Sequence, residues 1–287
     1  MSRATGEGPA ATAAALTVLE PGPLATIQDR GRAGQAALGV PRSGACDRRS
    51  YELANRLVGN APGAAAIEVT FGGLALRAEA EVVVAVTGAP CPDAPLNAPS
   101  TLRAGDVLRL GAPRSGLRTY VAVRGGIGVE PVLGSRATDL LSGLGPAPLT
   151  AGDVLPVGCE HGPMPGVDLA AVADPVAGDL VVRVIPGPRQ DWFAPGALLG
   201  RRYAVSSNSN RIGVRLEGTP LERIREGELP SEGMTLGALQ MPPSGLPVLF
   251  LADHPVTGGY PVIAYVARAD LDACAQLRPG QSLRFTS

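Results

Sequence analysis

Residues 40–60 read VPRSGACDRRSYELANRLVGN, and Arg42, Ser43, Asp47, Arg48 and Arg49 fall within eight positions of that stretch. Two kinds of chemistry are open to such a set. Ser43 or Asp47 can cap the helix that follows by accepting backbone N–H bonds, while Gly44 takes a turn conformation that a side chain resists. A cap needs one acceptor and no arginine. The surplus guanidinium groups therefore point to a phosphate or carboxylate held at the helix start, with Arg42 and Arg48 as its ligands. Asp47 is a candidate for proton handling.

Three further segments concentrate reactive groups. LPSEGMTLGALQMPPSG at 229–245 places Ser231, Glu232 and Gly233 before a turn, with Glu232 a candidate acid or base. ADHPVTGGYPVIAYV at 252–266 offers unobstructed backbone N–H groups at Thr257, Gly258 and Gly259, as an oxyanion or phosphate site requires, and a hydroxyl at Tyr260. The same two-glycine turn is also an ordinary hairpin. His254, just before it, is able to titrate near neutral pH. In SSNSNRIGVRLEG at 206–218, Asn210 and Arg211 stand at a strand entry; alternation puts Arg211, Gly213 and Arg215 on one face, with room for a ligand at the glycine. Turn chemistry alone also explains the asparagines. Trp192, the single tryptophan, reads as a packing anchor.

Composition removes several alternatives. All 25 basic residues are arginine, against 26 acidic ones. Without lysine there is no Schiff base, no Walker lysine and no attachment point for covalent biotin. Charge of neither sign forms a run, which argues against nucleic acid or an anionic membrane as partner and for a small polar ligand. Cys46, Cys91, Cys159 and Cys274 are widely spaced, and the histidines are His161 and His254. No metal site is expected, and a reducing, cytoplasmic setting is. No stretch approaches the length of a membrane-spanning helix.

The elements that must position these groups are mostly strands. With 38 glycines and 28 prolines, the chain is punctuated every few residues. Strands are expected at 16–19, 81–88, 106–111, 118–125, 180–187, 248–253 and 262–267. The clear helix spans 47–58, stopped by Gly59 and Asn60, and a second short one is expected within 268–277. AGDVLRLG at 104–111 returns as AGDVLPVG at 151–158 and, more weakly, as RPGQSLRF at 278–285, each read as a turn feeding an edge or closing strand. The expected organisation is a loose tail over 1–15, a β-barrel domain over 16–160, a Gly/Pro-rich linker over 161–179 containing a solvated His161, and a second β-barrel domain over 180–287.

In this order, TIQDRGRAGQAALGVPRSGACDRRSYELANRLVGN, AAIEVTFGGLAL, VAVRGGIGVEPVLGSRATDL, SNRIGVRLEG, LPSEGM and TGGYPVIAYV resemble the family that contains the C subunit of 5-oxoprolinase, the KipA antagonists and the carboxyltransferase region of urea carboxylase, often labelled allophanate hydrolase subunit 2. The resemblance covers about residues 16–285. It implies a mainly β fold of two cyclophilin-like barrels with a few short helices. It also implies a hetero-oligomer with a companion B subunit, a separate A subunit as hydrolase, and ATP, with or without Mg, for opening 5-oxoproline to glutamate. The matching motif positions are Arg42, Ser43, Gly44 and Asp47, then Ser231, Glu232, Gly233 and Met234, then Thr257, Gly258, Gly259 and Tyr260. Cys46, Pro255 and Val256 depart from the family's usual methionine, glutamine and threonine. Two other functions follow from the same resemblance: carboxyl transfer in a biotin-dependent urea or amide carboxylase, and non-catalytic binding of a kinase inhibitor.

Overall fold

The computed structural model describes residues 14–160 and 162–287. The tail expected over 1–15 falls almost wholly outside that range, as does His161. Among the described residues the chain is mainly β, with α-helices at Arg48–Leu57 and Leu271–Cys274.

Two sheets form the N-terminal part. A four-stranded one runs in the order Val107–Arg109, Leu74–Ala78, Ala15–Pro21, Val154–Pro156, and a five-stranded one in the order Leu24–Gln28, Ala66–Thr70, Arg118–Val123, Val82–Gly88, Pro99–Leu102. The two AGDV repeats thus supply the opposite edges of the smaller sheet. Leu16, Val18, Leu74 and Leu76 of one sheet meet Ile27, Ile67, Val69, Val84, Val121 and Val123 of the other in one core. Each such side chain contributes about 1.5–3 kcal/mol on burial.

Arg118–Val123 is buried along its whole length, which simple alternation does not allow for. The second face of its sheet is covered by helix Arg48–Leu57. Tyr51, Ala54 and Leu57 of the helix settle onto Ala66, Ala85, Tyr120 and Ala122. Alanines at those strand positions let the helix approach closely. Asp47 caps the helix, its carboxylate accepting the Ser50 N–H at 3.0 Å, and Gly59 ends it at φ +69°.

The C-terminal part is a closed seven-stranded barrel. Its strands run Leu180–Pro186, Val262–Val266, Ala238–Gln240, Val248–Phe250, Gly213–Glu217, Arg202–Val205 and Ser282–Thr286. A parallel pairing of the first with the last closes it, so no sheet edge is left open. The third repeat, RPGQSLRF, supplies the closing strand. Trp192 and Phe193 lie in the barrel's core with Tyr203, Leu216, Leu239, Leu249 and Phe285. Residues 162–179 contain no strand and run along the surface, tied down where Gln281 Nε2 donates to the carbonyls of Val176 and Gly178. The expected second helix is a 3-10 turn, Arg268–Asp270, leading into Leu271–Cys274.

Candidate functional site

The two β structures are joined through a buried ionic cluster. Glu68, in the middle of strand Ala66–Thr70, is 1% exposed, as is Arg211 from the barrel. The Arg211 guanidinium donates to Glu68 Oε1, to both Asp253 oxygens at 2.9 and 3.0 Å, and to the Gly44 carbonyl at 2.7 Å. Glu68 also receives the Tyr120 hydroxyl at 2.6 Å and the Cys46 N–H at 2.9 Å, with the Arg118 guanidinium 3.5 Å away. Two carboxylates thus face two guanidinium groups. Burial opposes the charge on Glu68, yet Arg211 and Arg118 hold its carboxyl below the ordinary glutamate range.

Asp47 belongs to this junction as well. Its carboxylate takes the Ser50 N–H and hydroxyl and the Gln276 side-chain amide at 2.7 Å, while the other end of Gln276 accepts the Leu117 and Arg118 N–H groups. Burial raises the Asp47 carboxyl against these bonds. The helix N-terminus is occupied on its barrel side too: Asp272 accepts the Arg48 N–H at 3.0 Å. Asp272 takes the Arg49 N–H as well, and the Tyr51 N–H goes to the Asp47 carbonyl, so the N–H groups of the first turn already have acceptors within the protein and the expected helix-end site is corrected.

The guanidinium groups are another matter. A cleft of about 870 Å³ lies between the helix and the barrel. One wall carries Arg42, Arg48, Arg49 and Arg56, the other Arg268, with Glu52 and Asp272 as its carboxylates. Met234, Leu236, Val256 and Leu271 add apolar surface, and His254 lines the same space. Burial and the neighbouring charges of Arg42 and Arg268 lower the Arg48 pKa. Three like charges are therefore gathered around one concavity, an arrangement suited to a small carboxylate or phosphate with an apolar side. Among the described residues no three acidic, histidine or cysteine side chains gather as metal ligands.

The remaining expected site residues are distributed as follows. Arg42 and Arg48 stand in the cleft. Arg211 does not; its donors are consumed inside the protein, and it precedes strand Gly213–Glu217 instead of sharing a face with Arg215. The space expected at Gly213 is filled by Val248 and Leu249 of the next strand. Ser43 is buried at φ +54° and donates to Asp253 Oδ1 at 2.6 Å. Gly44, at φ +93°, lies so close to Arg30 and Gly31 that a Cβ would strike their backbone at 2.8–2.9 Å. Asn210 closes a turn by accepting the Ile212 N–H at 2.9 Å. Asp47 faces a smaller cavity of about 230 Å³, not the arginine cleft.

The second and third segments pair with each other. The strands on either side of the glycine turn, Val248–Phe250 and Val262–Val266, both pair with Ala238–Gln240 and not with each other, so the turn closes no hairpin. Glu232–Gly233 and Thr257–Gly258 instead form a two-stranded ribbon, which takes in two of the three residues expected to cradle an anion and leaves Gly259 outside. The ribbon's flanking residues Met234, Thr235 and Val256 line the cleft, but Ser231, Glu232, Gly259 and Tyr260 do not. Glu232 is ion-paired with Arg189, which lowers its carboxyl pKa; a carboxylate held this way is a poor proton carrier. Glu68, Arg118, Asp253, Gln276 and Arg268 escaped the sequence reading. An acid inside the apolar run AIEVT was the signal for the first of these. Cys46, whose thiol burial pushes up to about 11, stays protonated and unreactive beneath the cleft.

Comparison with known proteins agrees with this architecture. The family described as carboxyltransferase domain, subdomain A and B, matches residues 38–287. The 5-oxoprolinase C subunit of Escherichia coli is 38% identical over 94% of this chain and 90% of its own, and that of Haemophilus influenzae is 34% identical over the same shares. The urea amidolyase of Saccharomyces cerevisiae is 33% identical, this chain spanning 16% of that protein. Among solved structures, TTHA0988 superposes with a TM-score of 0.86 at 36% identity, over 98% of this chain and 57% of its own. The Kluyveromyces lactis urea carboxylase gives 0.84 at 32%, over 94% of this chain and 27% of its own. The chain thus belongs to the carboxyltransferase domain family, subdomains A and B, whose relatives include the C subunits of bacterial 5-oxoprolinases.

Proposed function

We propose that this chain is the C subunit of a cytoplasmic ATP-dependent 5-oxoprolinase, acting with companion B and A subunits to open 5-oxoproline to glutamate. The observation that carries the reading is the convergence of Arg42, Arg48 and Arg268 on one half-apolar cleft. 5-Oxoproline is a compact ring whose methylenes suit the apolar lining of the cleft and whose carboxylate suits its guanidinium groups. Guanidinium groups also suit phosphoryl oxygens, so the same three side chains are the ones to meet the phosphoryl end of a nucleotide. ATP, when bound, supplies activation of the lactam carbonyl. This chain's residues hold the carboxylate, orient the ring against Met234, Leu236 and Val256, and exclude water from the buried side.

The test is glutamate release from 5-oxoproline and ATP by this chain mixed with the B and A subunits. Glutamate formed only by the complete mixture, and lost with Arg42→Ala, supports the reading. Absence of turnover in a stable complex refutes it. A second reading, carboxyl transfer to urea or a similar amide, draws on the urea amidolyase and urea carboxylase relatives. With no lysine the chain would need a separate biotin carrier, and bicarbonate-dependent modification of urea in that carrier's presence would favour it.

A further inference from the structure

His254 closes one side of the arginine cleft. Its ring stacks on Phe250, centroids 6.1 Å apart and planes at 29°, and Nδ1 lies 2.8 Å from the Pro255 carbonyl. A carbonyl oxygen only accepts, so Nδ1 carries the hydrogen and Nε2 carries the lone pair. Among the described residues no donor is bonded to Nε2. The proline that follows restricts the His254 backbone, and the stacked phenylalanine restricts the ring. The result is a fixed acceptor on a cleft whose other polar groups are mainly donors.

We propose that His254 is a specificity-determining contact: its Nε2 accepts the N–H of a small amide or lactam whose carboxylate is held by Arg42, Arg48 and Arg268. The inference rests on the reading of the cleft as an anion site and adds the second point of recognition. The charged groups that act on the ring are Asp253, already paired with Arg211 and Ser43, and Asp139. Burial lowers the ring's pKa below its usual 6.5, which keeps Nε2 an acceptor at neutral pH. A site built around an acceptor discriminates against a ligand that offers an oxygen in place of the N–H, because two lone pairs then face each other.

The experiment measures binding of 5-oxoproline and of its lactone counterpart, 5-oxotetrahydrofuran-2-carboxylate, by titration calorimetry with the full chain and its companion subunit. The wild type is expected to prefer the lactam by about tenfold, the weight of one net hydrogen bond. In His254→Leu the preference falls to about twofold or less through weaker lactam binding, with lactone binding unchanged or tighter as the opposed lone pair is removed; His254→Gln, which keeps an acceptor, retains most of it. An intact preference in His254→Leu overturns the contact, and if Arg42→Ala still loses both ligands the anion cleft survives. Loss of both ligands in His254→Leu marks a structural effect and also overturns it. No binding of either ligand by the wild type overturns the cleft assignment and the contact together.

Discussion

Ser43 and Asp253 are 210 positions apart, and the Ser43 hydroxyl donates to the Asp253 carboxylate at 2.6 Å. Ser43 holds φ +54° to do so, a conformation that costs about 1–3 kcal/mol for a residue with a side chain. A strained residue at the junction is thus stabilised by a charge-assisted bond across it. Ser43→Ala keeps the strain and loses the bond, so it should destabilise by about 2 kcal/mol. Ser43→Gly loses the bond but relieves the strain, so its cost should be smaller. Urea unfolding of both variants decides the order; an alanine variant as stable as the glycine one would refute the argument.

Arg211 neutralises two buried carboxylates at once. Arg211→Met leaves Glu68 facing only Arg118 and Asp253 without a guanidinium partner, and should cost about 3–5 kcal/mol. Arg211→Lys should recover little of that, because an ammonium cannot match the fork that reaches Glu68, Asp253 and the Gly44 carbonyl together. Full stability in the lysine variant would show that charge alone, not geometry, holds the junction.

The same cluster sets an acid limit. The folded pKa of Glu68 lies below its ordinary 4.5, so its contribution is complete above pH 4.5 and is lost as the pH falls through the folded value. Unfolding free energies measured from pH 7 downward should therefore fall more steeply in the wild type than in Glu68→Gln, which starts lower and has no such proton to bind. Parallel curves for the two proteins would remove Glu68 from the acid response.

How much of this was legible in one dimension depended on the range of the interaction. The strands and the helix at 48–57 follow from local signals: β-branched runs, the cap at Asp47 and the glycine stop at Gly59. The arginine pair Arg42 and Arg48 was legible for the same reason, since a cap has no use for guanidinium groups. Arg211 misled because its partners lie 42 and 143 positions away, and an arginine in a polar loop gives no sign that it will be buried. Arg268 was hidden by its neighbours, which read as a helix start, and only the closure of the barrel brings it opposite Arg42. The glycine turn at 257–259 read as either a hairpin or an anion cradle; Thr257–Gly258 pairs instead with Glu232–Gly233, a partner too distant in sequence for any local signal to name.

The thiols offer a direct check on burial. Cys46, Cys91 and Cys274 are buried and Cys159 is exposed, and burial raises the pKa of each of the first three. Thiolate is the reactive form. The native chain should therefore react rapidly with an aromatic disulfide reagent at Cys159 only, the other three following on unfolding in denaturant. Fast native labelling at Cys46 would mean that the floor of the cleft opens.

Arg268 separates stability from binding. It is exposed and ion-paired with no carboxylate among the described residues, and its charge acts with that of Arg42 on Arg48. Removing it should leave folding stability within about 0.5 kcal/mol of the wild type, with any change favourable because like-charge repulsion falls. Ligand binding should change in the other direction: a charge-assisted hydrogen bond lost from a carboxylate costs about 1.5–3 kcal/mol, or roughly ten- to a hundredfold in affinity. Arg268→Gln is the variant to measure, by thermal unfolding and by titration of 5-oxoproline in parallel, at low and at high salt. Unchanged stability with weakened, less salt-sensitive binding would place Arg268 among the anion's ligands. Weakened binding with equal loss of stability would instead make it a support for the barrel, and the cleft's charge would then rest on Arg42 and Arg48 alone.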